Sequence, residues 1–366
     1  MAKRGVIISG GGTGGHLYPA LVVGQRLRAE APDLPLTFVG TRRDVEQRIM
    51  AEQGVRFIPM RIEGLKGRGL KSLRGLAVLP LAFVHSLTIL ARTRPRLVIG
   101  VGGYSSGPIV LLASWLRVPT VILESNARPG FTNRLLARAA RRAVVAFPST
   151  LPYFRGKGVV LGNPVRQEFY ALPAKPRTAT LDVLVFGGSQ GSRFLNDLVV
   201  AALPLLAGAK DRLRLTHQTG PRDLERVAAA YRAAGFGAAE VAPYLSPMAA
   251  YFGRAGLVVC RAGATTLAEL VAARRAALLV PFAGAADDHQ TANARELEAA
   301  GGAAVLTEAE ATPEALAARV LGWLDRPEEL EAMAANAGRL QAPDPAGRIA
   351  ALCLSLIGRR PKEDPS

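Results

Sequence analysis

The chain has 366 residues, of which 49% are hydrophobic and 20% charged, a composition that favours globular domains and excludes intrinsic disorder. This length exceeds what one hydrophobic core usually fills, so two domains are expected. Lysine and arginine outnumber aspartate and glutamate by 46 to 29, a net charge of +17, which attracts nucleic acid, anionic lipid or phosphorylated substrates without choosing among them.

The N-terminus and the cysteines indicate a cytoplasmic protein. Met-Ala-Lys-Arg leads directly into a strand, without the apolar stretch of a signal peptide. The two cysteines, Cys260 and Cys353, are too few for a disulfide framework, so a reducing compartment is expected.

The first predicted strand, 6–9, runs into the glycine-rich turn 10–15 and a helix that opens near His16. Glycine permits close backbone approach, and a helix N-terminus offers free N–H groups, so this turn suits a phosphate. It is not the dinucleotide fingerprint, because no acidic residue ends the strand at 36–40 to hold a ribose. A purely structural tight turn is the alternative.

A basic loop at 65–74 precedes an apolar run at 75–90. This run is shorter than the roughly 20 apolar residues that span a membrane, and it contains Pro80 and His85. A basic loop beside an apolar helix predicts docking on an anionic membrane surface, and a core-packed helix with a solvated loop is the alternative. The residues expected at this surface are Lys66, Arg68, Lys71, Arg74, Leu76, Leu79 and Phe83.

The second half of the chain repeats the order of the first. The strand and glycine turn at 181–191 match those at 6–15, and three further apolar strands follow in each half. This order predicts an α/β protein of two doubly wound, Rossmann-like domains with parallel sheets facing across a cleft. The expected segments are a first domain at 1–162, a linker at 163–179, a second domain at 180–345, and a C-terminal helix and tail at 346–366, whose return to the first domain is left open.

Several separate motifs resemble those of the MurG family of peptidoglycan N-acetylglucosaminyltransferases, which have the GT-B fold. The motifs lie at 10–16, 102–108, 124–126, 162–166, 187–191, 260–269 and 288–293, so that the resemblance covers almost the whole chain. It implies an inverting transfer of N-acetylglucosamine from UDP-N-acetylglucosamine to the muramoyl C4 hydroxyl of undecaprenyl-linked lipid I, which forms lipid II. Leu123 and Ala262 depart from the histidine and serine common in the family, so the chain offers neither a histidine at position 123 nor a hydroxyl at position 262.

In the second half, the turns 187–191 and 263–266 each end a strand and open a helix. Helix dipoles and hydroxyl groups can neutralise the charge that grows on a leaving UDP without a metal ion, and the chain has no Asp-x-Asp metal pair. The hydroxyl groups available are those of Ser189, Thr265 and Thr266. Glu269 lies one helical turn beyond Thr265, so its carboxylate is expected to accept both ribose hydroxyls.

The resemblance assigns further contacts. It implies that Leu245 contacts uracil through its backbone, that Gln290 and Asn293 share a helical face aimed at the sugar, and that Arg166 reaches the diphosphate. Ordinary core or surface residues are the alternatives. The remaining positions for the sugar donor are Thr13, Gly14, Gly15, Asn126, Arg261, Gly263 and Ala264, and those for the acceptor are Gly11, Gly12, Gly102, Gly103, Tyr104 and Ser105.

An inverting transfer needs a general base for the acceptor hydroxyl. We assign His16, because the positive end of a helix favours the neutral imidazole that accepts a proton. Glu124 is the alternative base, and capping the loop or holding a phosphate is the alternative role for His16.

Three other functions remain open: a transferase for another lipid acceptor, a UDP-N-acetylglucosamine epimerase, which would need no membrane surface, and a nucleic-acid-binding protein. The last is disfavoured because aromatic residues are only 6% of the chain and do not interleave with basic residues. We expect no cofactor and a peripheral location at the cytoplasmic face of the cell membrane. The expected partners are UDP-N-acetylglucosamine, the undecaprenyl-diphosphate-linked muramoyl-pentapeptide, anionic lipids and other cell-wall synthesis proteins.

Overall fold

The computed structural model describes residues 4–11, 14–42, 44–60, 70–175 and 178–359, with the backbone alone at 14, 44, 45 and 70–79. The chain divides into two compact units, Met1–Val165 with Ala342–Ser366, and Arg166–Gln341. The first boundary falls inside the range expected to be a linker, and the second lies four residues before the expected start of the C-terminal helix at 346.

The first unit is built on a sheet of seven parallel strands in the order β3-β2-β1-β4-β5-β6-β7. These strands are β1 Val6–Ser9, β2 Leu36–Thr41, β3 Arg56–Met60, β4 Leu97–Gly100, β5 Thr120–Glu124, β6 Arg142–Val145 and β7 Gly158–Val160. The helices are α1 Gly14–Glu30, α2 Asp44–Glu52, α3 Leu70–Thr93, α4 Ser106–Trp115 and α5 Phe131–Leu136, with a 3-10 helix at Pro148–Phe154. Because apolar clusters cover both faces of this sheet, its central strands are continuous apolar runs.

The second unit has six parallel strands in the order β10-β9-β8-β11-β12-β13. The strands are β8 Leu181–Phe186, β9 Leu213–Gln218, β10 Glu240–Ala242, β11 Leu257–Cys260, β12 Ala276–Leu279 and β13 Ala304–Val305. The helices are α6 Gln167–Tyr170, α7 Arg193–Leu206, α8 Leu224–Ala233, α9 Met248–Arg254, α10 Ala264–Ala273, α11 His289–Ala299, α12 Pro313–Asp325 and α13 Pro327–Arg339, with 3-10 helices at Ala207–Arg212 and Ala286–Asp288.

Both sheets change winding direction next to their first strand, between β1 and β4 and between β8 and β11. The prediction of two doubly wound α/β domains is therefore confirmed. Open sheets of this kind bind ligands beyond the carboxyl ends of their strands at such a switch point, so the loops after these four strands are where a site is expected.

The last helix, α14 Pro345–Ser355, belongs to the first unit and packs against α1. Its buried face contributes Ile349 and Cys353 to the same apolar cluster as Leu17. The Arg96 guanidinium also donates a 2.6 Å hydrogen bond to the Ile357 carbonyl. The helix α14 therefore completes the first unit, although it follows the second unit in the sequence.

Candidate active site

Two glycine-rich loops touch at the carboxyl edge of the first sheet, where β1 and β4 end. Gly102 and Gly103 have φ values of +92° and +78°, which glycine adopts without strain. A Cβ atom at Gly103 would lie 2.4 Å from the Gly11 carbonyl oxygen, and one at Gly102 would lie 2.8 Å from Cε1 of His16. Only glycine therefore fits at these two positions, and the His16 ring lies against the Gly102 backbone.

His16 is the third residue of α1, so its half-buried imidazole stands at the positive end of that helix. Glu46 lies beside the same loop: a Cβ atom at Gly11 would come within 2.7 Å of its Oε2. The buried Glu46 carboxylate accepts hydrogen bonds of 2.8 Å from both the backbone N–H and the hydroxyl of Thr41. Sequence reasoning missed Glu46, which belongs to no motif. Of the other predicted residues, Gly14 and Gly15 begin α1, while Gly12 and Thr13 lie outside the described residues.

The predicted acceptor residues Tyr104 and Ser105 lead into α4. The Ser106 hydroxyl donates to the Gly103 carbonyl at 2.9 Å, and the Ser9 hydroxyl donates to the Ser105 carbonyl at 3.2 Å. Within the described part of the chain, the buried Ser105 Oγ has no hydrogen-bond partner. Because buried hydroxyls are normally paired, this atom is a candidate to bind a substrate group.

Glu124, the last residue of β5, is buried and holds the loop that follows it. Its Oε1 accepts hydrogen bonds from the backbone and side-chain N–H groups of Asn126, at 2.9 and 3.0 Å. Its Oε2 accepts from the Gly130 backbone and the Asn133 amide, both at 2.9 Å. To accept a proton from a substrate, this carboxylate would have to give up one of four hydrogen bonds, so the geometry gives Glu124 and Asn126 a supporting role in this loop.

The second unit has its own glycine-rich loop, 187–191, between β8 and the N-terminus of α7. A Cβ atom at Gly191 would lie 2.0 Å from the Thr219 carbonyl oxygen, and one at Gly220 would lie 2.4 Å from the Gln190 carbonyl oxygen. The loops after β8 and β9 are therefore in backbone contact. The predicted Ser189 is exposed on this loop, where its hydroxyl is accessible to a ligand.

Gln218, at the end of β9, joins this loop to the segment that carries Leu245. Its side-chain N–H donates to the Gly188 carbonyl at 2.9 Å, and its Oε1 accepts from the Leu245 backbone N–H at 3.0 Å. Sequence reasoning missed this buried glutamine. Because the Leu245 N–H is already engaged, its carbonyl is the backbone group that remains for the expected contact with uracil.

A buried hydrogen-bond network centred on His217 and Asn196 supports the loops after β8 and β9. The two ring nitrogens of His217 lie 3.0 Å from the Tyr231 hydroxyl and 3.1 Å from Oδ1 of Asn196. Asn196 in turn donates to the Thr219 carbonyl and to the Asp223 carboxylate, both at 2.9 Å. Burial lowers the pKa of His217 to about 3, so this imidazole is neutral at physiological pH and acts as a fixed part of the support.

Arg261 braces the loops of the second unit. Its guanidinium donates to the Ser192 hydroxyl at 3.0 Å and to the Val280 carbonyl at 3.1 Å, and it forms a 2.7 Å ion pair with Glu308. The Phe194 and Phe282 rings both lie within 5.4 Å of the guanidinium carbon. Burial lowers the pKa of Arg261, and Glu308 opposes that shift. This side chain, expected to contact the sugar donor, is here largely engaged with protein groups.

The N-terminus of α10 is the second helix end at this edge. Gly263 occupies its N-cap position without a side-chain cap, and Ala264, Thr265 and Thr266 form a half-buried first turn. The N–H groups and positive partial charge at a helix N-terminus attract an anion. Oε1 of Gln290 accepts from the backbone N–H groups of Ala262 and Phe282, at 3.2 and 3.0 Å, which leaves its Nε2 unbonded within the described chain.

Asn293 is the residue predicted to share a helical face with Gln290. Its side chain is fully buried, and its amide donates to the Ala262 carbonyl at 3.3 Å. Gln290 and Asn293 lie on the same face of α11, as their three-residue spacing predicts. Asn293 lies one turn further along the helix, where this face is buried in the protein. Asn293 is therefore positioned behind the loop, as a support.

Glu269, on the second turn of α10, is buried beside Arg166. The Arg166 guanidinium lies 3.2 Å from Oε1 of Glu269 and 3.1 Å from Oε1 of Glu168, and it stacks 4.9 Å above the Phe169 ring. Burial raises the pKa of Glu269 to about 7, against the opposing effect of Arg166. A buried carboxylate that titrates near neutrality is typical of a functional site.

Within the described residues, no group of three or more histidine, cysteine, aspartate or glutamate side chains is arranged to hold a metal ion. The groups described above can bind and orient a phosphorylated ligand through N–H groups and hydroxyls, and Glu269 offers a carboxylate to ligand hydroxyl groups.

Models of one protein family match both units. The glycosyltransferase family 28 N-terminal domain matches residues 6–145, and its C-terminal domain matches residues 182–349. The chain belongs to glycosyltransferase family 28. Membership of family 28 makes the chain a glycosyltransferase and assigns the two units to the two domains of that family.

The family 28 relatives include proteins named UDP-N-acetylglucosamine--N-acetylmuramyl-(pentapeptide) pyrophosphoryl-undecaprenol N-acetylglucosamine transferase. One from Anaeromyxobacter dehalogenans (strain 2CP-C) is 45% identical over 97% of this chain and 94% of its own length. One from Myxococcus xanthus (strain DK1622) is 44% identical over 96% and 93%. The crystal structure of Acinetobacter baumannii MurG superposes with a TM-score of 0.78 and 30% identity, covering 96% of this chain and all of that one. The resemblance to the MurG family is confirmed.

A second surface of the first unit exposes large apolar side chains. Leu81, Val84 and Leu87 follow one another at three-residue spacing on α3 and are 65, 63 and 48% exposed. Trp115, at the end of the neighbouring α4, is 67% exposed. In sequence, residues 64–165 contain 15 lysines and arginines but a single acidic residue, Glu124.

This surface extends the predicted membrane patch. Of the residues expected there, Phe83 is half-buried, Lys71, Arg74, Leu76 and Leu79 lie on α3 with only their backbone described, and Lys66 and Arg68 lie outside the described residues. None of the helices in the described ranges has the length and apolar character needed to cross a membrane.

Proposed function

We propose that this protein transfers N-acetylglucosamine from UDP-N-acetylglucosamine to the muramoyl C4 hydroxyl of undecaprenyl-linked lipid I, producing lipid II for peptidoglycan synthesis. The names of relatives that are 41–45% identical over almost the whole chain support this activity. The structural observation that carries the proposal is the pair of helix N-termini beside a buried carboxylate in the second unit. Together these groups suit the diphosphate and the ribose of a nucleotide sugar.

The second unit binds the sugar donor in this proposal. The N-termini of α7 and α10 supply N–H groups and positive partial charge for the diphosphate, with Ser189, Thr265 and Thr266 adding hydroxyl donors. Glu269 accepts hydrogen bonds from the ribose hydroxyls, and the Leu245 carbonyl accepts one from the uracil N3–H. The unbonded Nε2 of Gln290 donates to a hydroxyl of the sugar.

The first unit supplies the base. In the proposed step, His16 takes the proton of the C4 hydroxyl while that oxygen bonds to the anomeric carbon of the sugar. The bond from this carbon to the β-phosphate oxygen breaks, and UDP leaves with the electron pair. Because the oxygen attacks opposite the leaving group, the anomeric configuration inverts. Glu124 is the weaker candidate base, because four N–H groups already occupy its oxygens.

A lipid-linked acceptor requires access to a membrane surface. We infer that the exposed apolar residues of α3, with Trp115, insert shallowly, and that the surrounding lysines and arginines hold the anionic headgroups at the cytoplasmic face. The charge asymmetry of residues 64–165 supports this orientation over a core-packed α3.

The activity is tested by incubating the protein with radiolabelled UDP-N-acetylglucosamine, with and without a lipid I analogue. Label that enters the organic phase only with lipid I is the expected result. Isomerised UDP-sugar without an acceptor would indicate an epimerase instead, and transfer to a different prenyl-linked sugar in place of lipid I would change the acceptor assignment.

Membrane binding is tested with vesicles that contain phosphatidylglycerol. Replacing Lys66, Arg68, Lys71 and Arg74 together by serine should reduce co-sedimentation and its salt sensitivity, since each basic residue contributes about 1 kcal/mol near an anionic surface. Replacing Leu81, Val84 and Leu87 by serine should reduce binding at high salt as well, because apolar insertion is not screened. Equal binding of wild type and quadruple variant to neutral and anionic vesicles would contradict the electrostatic part.

A further inference from the structure

Arg275 is a fully buried arginine at the end of α10, only 1% exposed. In the described part of the chain, no carboxylate lies within ion-pair distance of it, and its guanidinium donates to backbone carbonyls instead. The acceptors are the carbonyls of Phe252 at 2.6 Å, Ala273 at 2.7 Å, Pro173 at 2.9 Å, and Arg274 and Gly253 at 3.2 Å. Burial lowers the pKa of Arg275 to about 10, so the group remains charged at neutral pH.

Helix ends compensate this buried charge. Phe252 and Gly253 lie in the last turn of α9, and Ala273 is the last residue of α10. The carbonyls at a helix C-terminus carry negative partial charge, so two C-termini converge on the guanidinium in place of a carboxylate. An arginine fits this position because its planar group offers five N–H donors in fixed directions, which a lysine cannot reproduce.

Of the two remaining acceptors, Arg274 is adjacent in the chain, whereas Pro173 belongs to a different part of the unit. It lies in the segment 166–173, which begins with Arg166 and includes α6. The neighbouring Arg274 guanidinium donates to the Leu172 carbonyl at 2.7 Å, so two consecutive arginines hold two consecutive carbonyls of this segment. Inside it, the Phe169 ring packs edge-on against Phe252 at 5.2 Å between centroids.

The two ends of the segment are therefore attached to one helix. Arg166 is bonded to Glu269 on the second turn of α10, while Leu172 and Pro173 are bonded to the residues that end α10. This arrangement sets the distance and orientation between Arg166 and Glu269, two residues of the proposed site for the sugar donor. In the described part of the chain, the hydrogen bonds of the Arg274 and Arg275 side chains go to backbone carbonyls that belong to none of the predicted ligand positions.

We propose that Arg275, assisted by Arg274, is a positioning residue for binding of the sugar donor: it fixes the segment 166–173 so that Arg166 meets the donor beside Glu269. The inference rests on the proposed function for its ligand, UDP-N-acetylglucosamine. It predicts that loosening this attachment weakens binding of UDP and of the sugar donor while the chemical step is retained.

The first test replaces Arg275 by lysine and by methionine in the full chain. Lysine keeps the charge but loses most of the five carbonyl contacts, so the donor KM and the UDP Kd from calorimetry should rise about 10-fold, with kcat and the acceptor KM within about twofold. Methionine should have a larger effect of the same kind. Unchanged donor KM and UDP Kd in a folded Arg275→Lys protein would overturn the proposal.

Arg274→Gly separates positioning from stability. Arg274 has a φ of +51° as the C-cap of α10, a conformation that glycine adopts more readily, so the variant should melt no earlier than the wild type. It loses one hydrogen bond to the segment, and the donor KM should rise about 3-fold. A normal donor KM in this variant would mean that the arginines act on stability alone.

A control is Arg212→Met, because the exposed Arg212 pairs with Asp325 and also donates to a carbonyl at a helix end, that of Leu324 at 3.0 Å, but makes no hydrogen bond to the segment within the described residues. It should leave donor KM unchanged. In an Arg166→Ala background, the effect of Arg275→Met on donor KM should disappear, since the positioned group is gone. Additive effects would contradict positioning through Arg166, whereas a wild type that binds no UDP and makes no product would instead refute the proposed function.

Discussion

Glu124 and Glu269 are buried carboxylates at corresponding edges of the two sheets, and their surroundings give them opposite properties. Four N–H groups hold Glu124, so its charge is satisfied and its loop is fixed. Glu269 has Arg166 as its ion-pair partner, and its pKa is raised to about 7 by burial. A carboxylate surrounded by protein N–H groups organises a loop, whereas one with few protein partners retains acceptor capacity for a ligand.

The largest expected effect is on the stability of the first unit. Glu124→Ala removes a buried acceptor from four hydrogen bonds, one of them to the buried Asn133, and we expect a loss of about 3 kcal/mol in unfolding free energy. Urea denaturation measures it. The exposed Glu225 of α8 provides the control, and Glu225→Gln should change stability by less than about 0.5 kcal/mol. A stable Glu124→Ala protein that has lost only kcat would return the role of base to Glu124.

The next largest effect concerns His16, the base proposed in the first unit. His16→Gln keeps size and hydrogen bonding but removes basicity, so kcat should fall about 100-fold while UDP affinity is retained. The acidic limb of the wild-type pH–rate profile should disappear in the variant. Near-normal kcat with the same acidic limb would exclude His16 as the base.

Glu269→Ala tests whether the Glu269 carboxylate binds the sugar donor. Losing the charge-assisted hydrogen bonds to the ribose should raise the donor KM about 30-fold, with a much smaller change in the acceptor KM. Glu168→Ala is a close control, since Glu168 pairs with the same Arg166 at 3.1 Å but is exposed, and it should change donor KM by less than about 3-fold. Unchanged UDP affinity in a folded Glu269→Ala protein would contradict the assignment of Glu269 to the site for the sugar donor.

The smallest effect is on the pH dependence of donor binding. With the pKa of Glu269 raised to about 7, its ionised fraction should increase from about 10% at pH 6 to about 90% at pH 8. The ionised form is the better acceptor for two hydroxyls, so affinity for UDP-N-acetylglucosamine should tighten about 5-fold over this range. The two phosphates of UDP-N-acetylglucosamine are diesters and do not titrate between about pH 6 and pH 8. Calorimetry at both pH values should show the change in wild type and not in Glu269→Gln, and a flat wild-type profile would contradict it.

Local patterns in the sequence were enough to predict the fold and the positions of its glycine-rich loops. Apolar runs of four to six residues that end in glycine determine where buried parallel strands stop, and their repetition in both halves determined two sheets of the same winding. The motif around Glu269 placed this residue on the second turn of a helix, as observed for α10. These inferences succeed because periodicity, glycine turns and helix starts depend on neighbouring residues.

Which groups are free to act was decided by tertiary structure. The sequence identified Glu124 as an alternative base and Arg261, Gln290 and Asn293 as contacts of the sugar donor. The packed chain engages or buries these four side chains to different extents. Glu46, Gln218 and Arg275 belong to no motif, because their partners lie far away in the chain: Gln218 bonds to Gly188, and Arg275 bonds to Pro173. Burial and hydrogen-bond satisfaction are properties of the packed chain, so they cannot be inferred from the spacing of residues.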